Sequence, residues 1–261
     1  VAGKCAGKKE MEEMTRNMAD ETRIVFVSGA SGGIGLHICE FLLEAGYQVA
    51  MQYHNNGGVL QPLLKKFPDK AHAFYADLSD KTSIDRLIKE VLQSLEKIDI
   101  VIHSAGVSSA GMCWKIEDAE WERVLQMNLT APMQISRAFI PEMRYNKWGR
   151  IIFVSSVVAQ TGVMGSAAYA ASKSGLFGLC RAMASDLGSS GITVNVLSPG
   201  YMDTGMIQVI PPQVQDQLKK DTPTGTLGNP MALVRAIEFL IHSDNSFTTG
   251  QILSVNGGLH M

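Results

Sequence analysis

Tyr169 and Lys173 stand at i and i+4 in the run Tyr169-Ala-Ala-Ser-Lys173. On a helix that spacing puts a phenol and an amine on one face, a turn apart. An ammonium beside a phenol favours the phenolate and brings a group of pKa about 10 toward the neutral range. Ser156 closes the apolar run Ile151-Ile-Phe-Val-Ser-Ser156, thirteen residues before the tyrosine. Far upstream, Ile24-Val-Phe-Val-Ser28 leads into Gly29-Ala-Ser-Gly-Gly33-Ile-Gly35. Reducing a ketone takes hydride on carbon and a proton on oxygen, and a placed acid lowers that barrier. The three features point to a nucleotide held against a proton-donating tyrosine. Taken alone, the tyrosine–lysine pair equally suits a buried tyrosine and a solvated lysine on an amphipathic helix. The serine, the glycine loop and Asn128 tip that balance toward chemistry.

Positioning these groups requires strands that end together. Apolar runs suited to buried parallel strands occur at 24–28, 48–53, 72–75, 98–103, 149–154, 193–197 and 251–255. Helical patterns lie between them at 33–45, 59–66, 81–95, 119–146, 167–188 and 231–242. The fourth of these is expected to break at Pro132 and Pro141. Such alternation predicts an α/β fold, a doubly wound sheet in one three-layer α/β/α domain over 23–261. In such sheets ligands bind beyond the carboxyl ends of the strands. The glycine loop, His103–Gly106, Ser156 and Pro199–Gly200 all follow strands and are expected to meet there.

Composition narrows the partners. The net charge of −2 argues against nucleic acid, which calls for a basic stripe. An apolar share of 46% supports a sizeable core, yet no run reaches the roughly 18 residues of a membrane span. Cys5, Cys39, Cys113 and Cys180 show no metal or redox spacing and read as inert thiols in a reducing, cytoplasmic setting. Residues 1–22 mix lysines, acids and methionines without an apolar h-region. They are expected to form a peripheral extension, native or added.

The ordered set Gly29-x3-Gly33-x-Gly35, Ala76-Asp77-Leu78, His103-Ser-Ala-Gly106, Asn128, Ser156, Tyr169, Lys173, Ser198-Pro-Gly200 and Asn256-Gly-Gly258 resembles the short-chain dehydrogenase/reductase family, from about Arg23 to Met261. The resemblance implies a Rossmann-like seven-stranded sheet ordered 3-2-1-4-5-6-7. It also implies a catalytic tetrad of Asn128, Ser156, Tyr169 and Lys173. Ser156 would hold the carbonyl oxygen, and Lys173 the nicotinamide ribose. Asn128 would open its helix and hold a water linking Lys173 to solvent. Of the adjacent serines, spacing to the tyrosine selects Ser156 over Ser155, because consecutive strand residues face opposite ways.

For the cofactor, Gly29, Gly33 and Gly35 let backbone N–H groups approach a pyrophosphate, against which Ile34 is expected to pack. Asp77 and the Leu78 N–H are given to the adenine, with Asp80 the better cap for the next helix. Ser104, Ala105 and Gly106 are given to the adenosine ribose, and Pro199, Gly200, Met202 and Thr204 to the nicotinamide end. No Asp or Glu occurs between Glu44 and Asp69, so the carboxylate that binds an NAD ribose is missing. Tyr53 takes its place, and Ser31, Tyr53, His54 and Asn55 can offer hydrogen bonds. NADP(H) is favoured on that ground, with NAD(H) the other candidate.

The substrate is less legible. The ending Asn256-Gly-Gly-Leu-His-Met261 and the segments Ser198–Thr204 and Thr226–Pro230 resemble 3-oxoacyl-thioester reductases, acetoacetyl-CoA reductases in particular. This implies NADPH-dependent reduction of a 3-oxoacyl group carried on acyl carrier protein or CoA. Lys147 and Arg150 would give an acidic carrier protein part of a basic rim. The alternatives are another ketone or secondary alcohol, with Met112, Trp114, Met164 and Met206 lining an apolar pocket, and a non-catalytic dinucleotide sensor. A homotetramer is implied, with a dimer next.

Overall fold

The computed structural model describes residues 23–261. The extension expected over 1–22 lies outside them. Seven parallel strands form one sheet: β1 (Ile24–Ser28), β2 (Gln48–Tyr53), β3 (Ala71–Tyr75), β4 (Ile100–His103), β5 (Gly149–Val154), β6 (Ile192–Pro199) and β7 (Ile252–Val255). Their order is β3-β2-β1-β4-β5-β6-β7, as the resemblance implied. Strand order reverses between β1 and β4, which opens a crevice at the carboxyl ends. Register sets those ends level, with Ser28 beside His103 and His103 beside Phe153.

Alternation along the strands builds two cores. Phe26, Val101, Ile151 and Phe153 face α3 (Lys81–Leu95), α5 (Ala131–Tyr145) and α7 (Ala167–Leu187). Their neighbours Val25, Ile100, Ile102 and Ile152 face α1 (Gly33–Glu44) and α9 (Pro230–Ile241). A sheet buried on both faces needs continuous apolar, β-branched runs, and the central strands β1, β4, β5 and β6 have them. The shorter helices are α2 (Gln61–Lys66), α4 (Asp118–Leu125), α6 (Val158–Thr161) and α8 (Pro212–Asp221). Asp80 caps α3, accepting from the Thr82 and Ser83 N–H groups at 3.0 and 3.2 Å. Among the described residues no helix is long and apolar enough to cross a membrane.

The long helical pattern over 119–146 breaks elsewhere than the prolines predicted. The interruption is one π turn at Gln126–Thr130. Pro132 sits in the first turn of α5, where its missing N–H costs nothing, and Pro141 lies inside α5, which continues to Tyr145. Of the described cysteines, Cys39 and Cys180 are buried, with thiols pushed up by desolvation, whereas Cys113 is exposed.

Arg150 corrects the expected basic rim. Only 1% of it is exposed. Its guanidinium donates to the carbonyls of Gly149 (2.9 Å), Gly191 (3.4 Å), His242 (3.4 Å) and Ser243 (3.1 Å). The Trp148 ring lies between it and Arg23, at 4.4 and 3.3 Å from the two guanidinium carbons. Burial first, and then the Arg23 charge, push its pKa down to about 10. The residue staples β5 to two loops at the amino ends of the strands, and no carrier protein can reach it. Arg150→Ala would leave the Gly191, His242 and Ser243 carbonyls short of a donor. We expect it to lower the unfolding free energy by about 2–3 kcal/mol. Thermal unfolding at fixed protein concentration checks this, and an unchanged melting temperature would return Arg150 to the surface.

Candidate active site

The glycine loop is shaped by close approach. Gly29 has φ +68, and a Cβ there would stand 2.6 Å from Ala105 Cα. Gly35 meets the Gly29 carbonyl, and Gly33 meets the Thr204 hydroxyl, so a side chain at either would fill the cradle. No side chain caps the amino end of α1, whose first N–H groups point into that cradle. Unfilled space, free donors and the positive end of a helix dipole fit a dinucleotide pyrophosphate. Gln52, which sequence reasoning passed over, holds the loop in place. It is buried, accepts from the Gly29 N–H at 2.9 Å and donates to the Ala76 carbonyl at 2.8 Å. A polar residue inside an apolar strand was the available signal.

At the ends of β2 and β3 the expected residues form one cluster. Tyr53 and Tyr75 meet edge to face at 5.9 Å, and the His54 ring lies 5.8 Å from Tyr75. His54 Nε2 faces Asp77 Oδ2 at 3.8 Å. Asp77 was read as free, but its Oδ1 accepts from the Ser79 N–H and hydroxyl at 2.8 and 2.7 Å. Burial alone would raise the Asp77 carboxyl. The two Ser79 bonds, with His54 and Arg123, outweigh it and hold the group below its usual range. The Ser31 hydroxyl donates to the Asn55 carbonyl at 2.8 Å, closing the glycine loop against the end of β2. Leu78 is buried in the core.

The proposed tetrad converges from three elements. Ser156 follows β5, Tyr169 and Lys173 lie on α7, and Asn128 sits in the π turn. Ser155 points the other way and donates to the Lys173 carbonyl at 2.9 Å, so Ser156 is the serine facing Tyr169. Lys173 is 4% exposed, and its ammonium donates to the Val154 carbonyl at 2.8 Å. Gly106 leaves room for that ammonium, since a Cβ there would lie 3.1 Å from Nζ. Asn128 is fully buried and acts as a clasp. It accepts from the Val107 N–H (2.9 Å) and donates to the Val107 carbonyl (2.8 Å) and to Ser172 (3.0 Å). Ser172 in turn donates to the Tyr169 carbonyl at 2.8 Å. The clasp ties the loop after β4 to the turn of α7 that carries the phenol.

Electrostatics differ from the simple expectation. Burial pushes the Tyr169 phenol up; the Ser156 hydroxyl opposes this, and the nearby Tyr201 adds to it. The anticipated lowering by Lys173 does not appear, because the ammonium is turned to Val154, 6.0 Å from the Tyr169 ring centroid. Burial also pushes Lys173 down to about 8. His103, beneath them, stacks on Phe153 at 5.2 Å and lies 2.8 Å from the Ser136 hydroxyl. Desolvation, aided by the Lys173 charge, holds its pKa at about 3, so the imidazole is neutral.

The loop after β6 completes the edge. The Ala105 N–H donates to the Ser28 hydroxyl at 3.2 Å, which fixes Ser104–Gly106 beside the glycine loop. Gly200 presses against Asn256, Pro199 ends β6, and the Met202 side chain packs into the core beneath. Thr204 thus reaches the glycine loop, and its N–H donates to the Met202 carbonyl at 2.7 Å.

A family model described as enoyl-(acyl carrier protein) reductase matches residues 29–260. The chain is 32% identical over 241 residues to the 3-oxoacyl-(acyl-carrier-protein) reductase FabG of Vibrio cholerae, covering 92% of this chain and 98% of that protein. The protein of the same description from Haemophilus influenzae is 32% identical over 239 residues, covering 92% and 98%. Nodulation protein G of Rhizobium sp. (strain N33) is 32% identical over 239 residues, covering 92% and 97%.

A lysine whose folded pKa lies below its unfolded value binds fewer protons folded than unfolded between the two. The protein therefore gains stability as pH rises from about 8 toward about 10.4. At pH 7 the buried charge is a cost, partly offset by the bond to Val154. Lys173→Met is expected to raise the unfolding free energy at pH 7 by about 1–3 kcal/mol. The gain should shrink by pH 10. Melting temperatures of both proteins at the two pH values check the sign.

Proposed function

Because the chain belongs to the short-chain dehydrogenase/reductase family and is an NAD(P)-dependent oxidoreductase, we propose that it reduces the 3-oxo group of an acyl thioester to the 3-hydroxy group, with NADPH. The observation that carries the chemistry is the facing pair of hydroxyls on Ser156 and Tyr169, with the Lys173 ammonium buried behind them. Support for the substrate class comes from relatives matched along nearly their whole length that are described as 3-oxoacyl-(acyl-carrier-protein) reductases. Acyl carrier protein and CoA are the two carriers weighed. The protein is read as a cytoplasmic homotetramer.

In this reading Gly29–Gly35, Thr204 and Ser104–Gly106 hold the dinucleotide, with Asp77 and Leu78 at its adenine end. The bound nicotinamide supplies hydride to the ketone carbon. Tyr169 donates its phenolic proton to the ketone oxygen, and the Ser156 hydroxyl holds that oxygen in place. A phenol kept above its usual pKa is fully protonated at neutral pH, as an acid must be. As the proton leaves, the Lys173 ammonium stabilises the phenolate. Lys173 would also hold the nicotinamide ribose. Asn128 fixes the turn of α7 that aims the phenol.

Tyr169→Phe removes the proton donor and is expected to reduce kcat with acetoacetyl-CoA at least a thousandfold, while NADPH still binds. A dinucleotide sensor would keep its function in that variant. Crotonyl-CoA, an enoyl thioester, is the control: turnover of it in place of acetoacetyl-CoA would move the reaction to the carbon–carbon double bond. The missing carboxylate at the end of β2 makes a second prediction. Tyr53→Asp is expected to shift the NADPH-to-NADH ratio of kcat/KM at least tenfold toward NADH, because it repels a 2′-phosphate. Initial rates with both nucleotides check it, and a wild type that already prefers NADH would overturn the cofactor assignment.

A further inference from the structure

Three connections leave the carboxyl edge of the sheet around Tyr169, and each carries large apolar side chains into water. After β4, Trp114 is 74% exposed, and after β5, Met164 is 83% exposed. Both are among the four residues read as lining an apolar pocket for another ketone or secondary alcohol, and both stand open to water. After β6, Met206 and Val209 are 50% and 88% exposed. Single exposed apolar residues need no explanation, but a set gathered at one mouth marks a binding surface.

The loops bearing Trp114 and Met164 are tied to each other. Gly111 pairs with Ser166 in a parallel bridge, and the Gly111 N–H donates to the Gly165 carbonyl at 3.0 Å. Ser166 is also the residue from which α7 starts, three before Tyr169. The apolar patch is thus fixed to the helix turn that delivers the phenol. Other exposed apolar side chains, Tyr145, Phe239 and Phe247, belong to segments at the opposite edge, which lead into strands.

We infer that Trp114 and Met164, on two loops tied together at the start of α7, form an open apolar mouth for the alkyl chain of the substrate, and that chain length sets its specificity. This rests on the reading of the substrate as a 3-oxoacyl thioester. With the 3-oxo carbon at Tyr169, the atoms beyond C4 are methylenes and can use such a surface, whereas the amides of the carrier arm cannot. A rim left open to water suits a chain that lies across it, and a four-carbon substrate is too short to reach it. Each methylene covered is worth up to about a fourfold gain in kcat/KM.

The test is a series of 3-oxoacyl-CoA substrates of four, six, eight and ten carbons with NADPH. The wild type is expected to show kcat/KM at least tenfold higher for ten carbons than for four. Trp114→Ala and Met164→Ala should each lower that ratio fivefold or more, whereas Tyr145→Ala, at the far edge, should leave it alone. A flat or falling wild-type series sinks the inference, as does a ratio unchanged in both mouth variants or equally reduced by Tyr145→Ala. If no 3-oxoacyl-CoA is reduced at any length, the thioester reading falls by itself. The same comparison on 2-alkanones of four to ten carbons then decides the mouth. A rise that Trp114→Ala abolishes supports it, and a flat series or no turnover overturns it.

Discussion

A lysine ammonium buried against a carbonyl, with no carboxylate beside it among the described residues, is the constraint around which this site is built. Desolvating a cation is expensive unless the surroundings answer it. Here the answer is the Val154 carbonyl at the end of β5, supplied by the sheet itself. The strand must therefore end where it does, and α7 must lie where its fourth residue after Tyr169 reaches that carbonyl. Gly106 follows from the same demand, since its missing side chain is the space the ammonium uses. His103 follows too: a neutral imidazole stacked on Phe153 adds no second charge beneath the first.

The π turn belongs to this arrangement. An uninterrupted α-helix through Gln126–Thr130 would keep every carbonyl and N–H for itself. The wider turn brings Asn128 to a position where its amide grips Val107 on one side and Ser172 on the other. Through Ser172 the grip extends to the Tyr169 carbonyl. Every polar atom of the Asn128 side chain is engaged within the protein, so its contribution is to hold two elements at a fixed separation. In the proposed reaction, preorganisation of this kind would let Tyr169 and Ser156 present two donors to one oxygen without rearranging as charge develops.

The sheet was legible because its strands are continuous apolar runs, and three of the seven match the expected bounds to the residue. The strand order came from an ordered set of motifs, which carries more than any one spacing, and the tetrad is proposed from the same set. What the sequence hid has physical causes. Pro132 and Pro141 looked like breaks, yet one occupies a first turn where no N–H is needed and the other is tolerated near a helix end. Arg150 looked like a surface cation, yet four backbone carbonyls and the face of Trp148 make a buried site for it. Gln52 looked like an ordinary strand residue, yet it ties β1 to β3. For Arg150 and Gln52 the deciding partner is backbone from a distant segment, and backbone partners leave no mark on composition or periodicity.

The same logic bears on how the two ends of the cofactor cradle differ. From the pyrophosphate loop onward the proposed cradle relies on main-chain shape: glycines at Gly33 and Gly200, with Thr204 laid against the first. Shape of that kind serves either dinucleotide equally. At the other end, side chains decide, and they are already engaged with one another. Ser31 holds the Asn55 carbonyl, and His54 faces Asp77. On the proposed reading, a 2′-phosphate there would meet a hydroxyl, a phenol and an imidazole, and selectivity would rest on the missing carboxylate more than on strong attraction.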